Sequence, residues 1–203
     1  MKFVIATENP GKIKEMRTIL KESGLDIVTR DELGITVKIE ETGTTFSENA
    51  ELKAKMICCL SAMPAIADDS GLTVDALNGE PGVYSSSYGG EELDYHERCL
   101  FLLKNMEKEE QRQAKFVCTI VCVFPDGDMI TATGECLGSI AAEISGTGGF
   151  GYDPVFIPEG HDITMAQLSS EEKNKLSHRG KALKEFIDLL NKKSNLPLDC
   201  QRE

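Results

Sequence analysis

Apolar and polar positions along this chain alternate between runs that suit strands and spacings that suit helices. Lys2 to Ala6 carries a continuous apolar stretch and reads as a strand. Ile13, Met16, Ile19 and Leu20 then recur at helical spacing, and Gly24 stops that helix. Asp26 to Val28 and Val37 to Ile39 are short strand candidates. Ala50, Ala54, Ile57 and Cys58 form the apolar stripe of a second helix, entered through Thr44-Thr45-Phe46-Ser47-Glu48-Asn49. The run Ala65 to Ala67 follows at once, so this helix is a crossover between two strands. That run meets Asp68-Asp69-Ser70-Gly71, where the strand is expected to open into a loop, and the pattern continues over Thr73 to Leu77.

Later segments change character. Tyr84 to Gly90 is a polar loop, Leu93 to Met106 a helix, and Glu107 to Gln113 a charged connector. Ala114 to Phe124 is rich in β-branched and aromatic residues. Pro125-Asp126-Gly127-Asp128 turns it back as a hairpin into Met129 to Glu135, and Gly138 to Ala141 begins a further strand. A short apolar run, Val155 to Ile157, precedes a polar helical segment through Lys175. Ala182, Leu183, Phe186, Leu189 and Leu190 mark a last amphipathic helix with Ser177 as its N-cap. Crossover units first and an antiparallel section later predict an α/β fold with a mixed sheet. No repeat or linker divides the chain, so residues 1–193 read as one domain and 194–203 as a frayed tail.

The formal net charge of -12 excludes a broad surface for nucleic acid or anionic membrane, because nothing neutralises phosphates over a wide area. It leaves room for a small phosphorylated ligand held by a few lysines or a metal. No apolar run approaches the length of a membrane span, and the first residues are too short an apolar stretch for a signal peptide. Seven cysteines, an odd number, read as reduced thiols in a cytoplasmic protein. Cys118 and Cys122 share one side of a strand, but no second ligand pair follows at zinc spacing.

Four stretches carry candidate chemistry. Asp68 and Asp69 are neighbours on a strand and point to opposite faces, so one can face a cleft while the other turns into the fold. Thr7-Glu8-Asn9-Pro10-Gly11-Lys12 joins a strand to a helix, a layout that presents backbone N–H groups to an anion. It is not a Walker A loop, since Ala6 and Ile13 stand where a glycine and a hydroxyl are needed. Gly146, Gly148, Gly149 and Gly151 surround Phe150, Tyr152 and Asp153, a composition that can lie flat on a planar ring and bond its edge. Ser177-His178-Arg179 precedes the last helix. Taken singly, each stretch also reads as a turn, an ordinary strand-to-helix loop or a solvated helix start.

Taken in order and spacing, the four motifs resemble the non-canonical purine nucleoside triphosphate pyrophosphatases, the inosine triphosphatase or dITP/XTP pyrophosphatase group, also called the Ham1-like family. The resemblance covers the chain to about Lys192. It implies an elongated mixed sheet flanked by helices, with two lobes around a substrate cleft. It also implies hydrolysis of ITP, dITP or XTP to the monophosphate and pyrophosphate with Mg2+, and a homodimer. By motif, Thr7, Glu8, Asn9, Pro10, Gly11 and Lys12 resemble the triphosphate-binding turn, with Lys53 and Lys173 as further phosphate contacts. Asp69 resembles the catalytic base. Asp69 and an acid of the Glu40-Glu41 pair, Glu40 as first choice, would hold the metal. Ser70 resembles a substrate contact, Phe150 the residue stacked on the base, and Gly151, Tyr152, Asp153, His178 and Arg179 its surroundings. A protonated His178 or Arg179 would then offer donors to a 6-oxo group. One departure stands out: Ser87 takes the place of an arginine that the family commonly carries in Tyr-Ser-x-Arg-Tyr. Rival readings are a Maf-type pyrophosphatase and a nucleotide sensor without turnover.

Overall fold

The computed structural model describes residues 1–194. Its first strand, β1 (Lys2–Ile5), pairs in parallel with β2 (Asp26–Thr29) on one side and β3 (Ala65–Val74) on the other. Two helices make the crossovers, α1 (Pro10–Glu22) and α2 (Phe46–Ser61). Both begin where the sequence supplies a cap. Asn9 precedes Pro10 in α1, and Thr45 forms a reciprocal box with Glu48 in α2. From β3 the sheet turns antiparallel through β4 (Gln113–Val123), β5 (Met129–Ile140) and the short β6 (Phe156–Pro158), in the order β2-β1-β3-β4-β5-β6. α3 (Tyr95–Asn105) lies between β3 and β4, and α4 (Ser170–Leu176) and α5 (His178–Ser194) close the described chain.

Three apolar clusters hold these layers. Met16 and Leu20 of α1 and Leu183 and Phe186 of α5 pack with Phe3, Ile5, Ile66 and Ile120. Ala50, Ala54 and Ile57 of α2 cover Val4, Ala65, Ala67 and Val121 on the other face. Leu102 of α3 and Met106 just after it gather Leu72, Val74, Phe116, Tyr152 and Phe156 at the far end. Each large side chain withdrawn from water this way contributes roughly 1.5–3 kcal/mol.

The register positions the acids. β1 pairs with β3 at Val4–Ala65 and Ile5–Ile66 and then leaves the sheet. Asp68 and Asp69 follow at once, paired only with Ile120 and Thr119 of β4. The strand therefore does not open into a loop at the acids; it runs on to Val74, while its parallel neighbour departs and leaves one edge free. Asp75–Leu77 is a short 3-10 turn beyond it.

Two other strand expectations fail. Val37 to Ile39 lies in no strand, because the Arg30 guanidinium takes the carbonyls of Ile35 and Val37 that a ladder would need. Gly138 to Ala141 starts no new strand; β5 continues to Ile140 and stays paired with β4 as far as Ser139. Ser177 does cap α5, its Oγ accepting from Gly180 N at 3.1 Å. The expected tail lies outside the described residues except for Ser194, the last residue of α5.

Candidate active site

A cavity of about 270 Å³ opens beside the free edge of β3. Pleating sends the two acids to different tasks. Asp69 lines the cavity, whereas Asp68 is fully buried. Asp69 Oδ1 accepts from Lys53 Nζ at 2.9 Å, and its Oδ2 from Asn49 Nδ2 at 3.4 Å. Asn49 and Lys53 are four residues apart on α2 and so share a face. Lys53 Nζ also meets Glu41 Oε1 at 2.6 Å, which draws a second carboxylate to the same wall. Burial pushes the Asp69 carboxyl above its usual range, against the pull of Lys53 and Lys12. Burial would discharge Lys53, but Asp69, Asp68 and Glu41 overcome this and hold it protonated.

Asp68 anchors cations from two elements. Its Oδ2 lies 3.1 Å from Lys12 Nζ and accepts from Arg179 Nε at 3.1 Å and Nη2 at 2.9 Å. Burial alone would raise this carboxyl, yet Lys12 and Arg179 hold it far below the carboxylate range. Arg179 spends two further donors on Glu15 (2.7 Å) and Ser70 Oγ (2.8 Å). Glu15 also pairs with Lys173 Nζ at 2.7 Å, and Lys173 pairs with Asp153.

At the turn Thr7 to Lys12 the structure departs from the free-amide expectation. Asn9 Oδ1 accepts from both Gly11 N and Lys12 N, so those N–H groups are spent on capping α1. Across the cleft, Asn9 Nδ2 donates to the Tyr95 hydroxyl at 3.1 Å.

Aromatic side chains complete the cavity lining. Phe150 packs on Gly11, where an added Cβ would sit 2.5 Å from the ring, and Lys173 Nζ lies 4.6 Å from its centroid. Asp153 holds the loop by accepting from Phe150 N at 2.8 Å. Gly149, at φ +69°, leaves room for that carboxylate. Tyr152 donates its hydroxyl to Ser85 O at 2.9 Å and is buried beside Gly151. His178 stacks on Phe116, with ring centroids 4.7 Å apart at 14°. Its Nδ1 is buried with no partner among the described residues. Burial, then Arg179 and Lys173, pull its pKa well below 6.5, so the ring is neutral at neutral pH. The expectation of a protonated His178 is corrected on that ground.

A family model described as the Ham1 family matches residues 3–189. The chain belongs to the Ham1 family. Two relatives carry the name dITP/XTP pyrophosphatase. That of Bacillus subtilis (strain 168) is 49% identical over 190 residues, 92% of this chain and 96% of its own length. That of Escherichia coli (strain K12) is 46% identical over 193 residues, 93% and 98% of the two chains. Among solved structures, the Ham1 protein of Staphylococcus aureus matches with a TM-score of 0.85 at 40% identity, covering 95% of this chain and all of that one. A HAM1 protein from Coxiella burnetii matches with a TM-score of 0.86 at 38% identity, covering 95% and 99%.

In this Ham1-family chain the cavity gathers Thr7, Glu8, Asn9, Lys12, Lys53, Asp69, Ser70, Phe150, Gly151, Tyr152, Asp153, Lys173, His178 and Arg179. Pro10 and Gly11 stand behind them as the first turn of α1. Glu40 is exposed and does not line the cavity, whereas Glu41 does. Glu15, Asn49, Phe116 and Arg30 were not singled out from the sequence. Glu15 is three residues from Lys12, and Asn49 four from Lys53; those helical spacings were readable signals. Nothing local marks Phe116 or Arg30. Asp69 and Glu41 both present carboxylate oxygens to the cavity, the donor type that Mg2+ takes, and this ion draws the rest of its shell from water and phosphate oxygens; among the described residues no cluster of three or more His, Cys, Asp or Glu side chains gathers as a ready-made metal site. No helix among the described residues is long and apolar enough to cross a membrane.

Proposed function

We propose that this Ham1-family protein hydrolyses ITP, dITP and XTP to the nucleoside monophosphate and pyrophosphate. The observation that carries this reading is a single cavity whose lining combines carboxylates and lysines with the Phe150 ring and a neutral imidazole, the Nδ1 of which has no partner among the described residues. The printed names of the relatives agree with it.

Asp69 and Glu41 would hold Mg2+, which when bound offsets phosphate charge and acidifies a water. Asp69 is the base that takes a proton from the water attacking the α-phosphorus, a task its raised carboxyl suits. Lys53 and Lys12 offset the charge of the substrate and of the leaving pyrophosphate. Phe150 stacks on the base. Arg179 has four of its five N–H donors committed to Asp68, Glu15 and Ser70, so it mainly orders the floor, and His178 is the principal reader of the base edge. A neutral ring presents one N–H to a 6-oxo group. Against adenine's amino group that donor is unpaired, at about 1–3 kcal/mol.

Residues 1–193 act in this reading as one unit of two lobes, and the protein works as a cytoplasmic homodimer. Six cysteines that are free thiols among the described residues, and an exposed apolar stripe of Leu52, Met56 and Leu60 on α2, support those two points. The test is incubation of the purified protein and Mg2+ with ITP, XTP, dITP, GTP, ATP or dTTP, quantifying pyrophosphate and monophosphate. Preferential turnover of the first three is expected. Release of orthophosphate, or binding without turnover, overturns the reading.

A further inference from the structure

Arg30 follows β2 and belongs to none of the four motifs. It is 2% exposed, yet it lines the cavity on the side of the Thr7 to Lys12 turn. Its Nε donates to Ile35 O at 3.1 Å and its Nη2 to Val37 O. Its Nη1 donates to no group among the described residues. A buried guanidinium tied to neutral carbonyls needs a counter-charge. Glu8 supplies one: its Oε1 lies 3.0 Å from Arg30 Nη2, on a side chain that is 60% exposed.

The other cations of the cavity are held differently. Lys12 pairs with Asp68, Lys53 with Asp69 and Glu41, and Lys173 with Glu15 and Asp153. Each of them has at least one buried carboxylate for a partner, fixed in place by the fold. Among the described residues Arg30 is paired only with a carboxylate that can swing into water. With the Gly11 and Lys12 amides already spent on Asn9, a guanidinium with an unused N–H is the strongest remaining donor to a phosphate beside this turn.

We propose that Arg30 binds the terminal phosphate of the substrate, and that the Glu8 carboxylate occupies its place until the ligand displaces it. The identity of that phosphate rests on the nucleotide reading above; the anion site itself does not.

Calorimetry on the full chain, without Mg2+, would compare inorganic tripolyphosphate with IMP. The proteins are wild type, Arg30→Met, Arg30→Lys, Glu8→Gln and the Arg30→Met/Glu8→Gln pair. Arg30→Met is expected to weaken tripolyphosphate about ten- to a hundredfold, the scale of one charge-assisted hydrogen bond, and to leave IMP unchanged. Arg30→Lys should recover part of the loss, because the charge remains and the fork does not. Glu8→Gln should tighten tripolyphosphate several-fold, and that gain should vanish in the double variant. Equal losses for tripolyphosphate and IMP would mean that Arg30 only braces the 35–37 segment, and would overturn the proposal. So would a wild type that does not bind tripolyphosphate. If Arg30→Met does not fold, Glu8→Gln decides, since Glu8 is exposed: unchanged or weaker binding overturns the proposal. The nucleotide reading fails separately, by absence of pyrophosphate release from ITP whatever tripolyphosphate does.

Discussion

Asp68 and Asp69 are adjacent carboxylates with opposite duties, and substituting each by Asn separates stability from turnover. Asp68 is fully buried and serves Lys12 at 3.1 Å and Arg179 at 2.9 Å. Removing one partner of a buried ion pair costs about 3–5 kcal/mol. Asn keeps one acceptor and Arg179 keeps Glu15, so the low end applies, about 3 kcal/mol. At about 2–4 °C per kcal/mol for a domain of this size, Asp68→Asn should lower Tm by about 6–12 °C. Asp69→Asn should behave in the opposite way. Its carboxyl is raised in the folded state, so the ionised group opposes folding above that pKa, and neutralising it should leave Tm unchanged or higher while abolishing turnover. The pH dependence checks the sign. Asp68 is depressed when folded, so its stabilisation is present above the unfolded pKa near about 3.9 and is lost as pH falls toward the folded value. The Tm gap between wild type and Asp68→Asn should therefore be constant from pH 5 to 8 and shrink only in acid. Thermal unfolding across pH, with ITP turnover on the same samples, measures all of this. An Asp68→Asn protein that melts with the wild type, or an Asp69→Asn protein that melts well below it, would refute the assignment of anchor and base.

Three further outcomes follow from the same geometry. Because His178 is held neutral, kcat/KM for ITP should show no limb from this residue between about pH 6 and 7.5; a limb that disappears in His178→Gln would count against a neutral ring. Phe150→Ala should lower kcat/KM for ITP and ATP by a similar factor, on the scale of about 1–3 kcal/mol for one stacked base, and a changed ITP/ATP ratio would show that the ring reads the base. Glu41→Gln should raise the Mg2+ concentration needed for half-maximal turnover while Glu40→Gln leaves it unchanged, since Glu41 alone of the two lines the cavity; the reverse result would return the role to Glu40.

Local chemistry in the sequence determined a good deal on its own. Apolar spacing, Asn9-Pro10, Thr45 with Glu48, and the Pro125 to Asp128 turn depend on near neighbours, and the elements they mark are present. The period of a strand was enough to send Asp68 and Asp69 to opposite faces. Tertiary structure decided what no near neighbour encodes. Asp68-Asp69 lies inside a continuous strand because β1 leaves the sheet after Ile5, a matter of register between strands sixty residues apart. Arg179 became the floor of the site because Asp68 and Glu15, far from it along the chain, converge on its donors. His178 is neutral because burial and two neighbouring cations disfavour its charge. Charge states and ion-pair partners depend on which distant groups share a low-dielectric space, and that space exists only once the chain has folded.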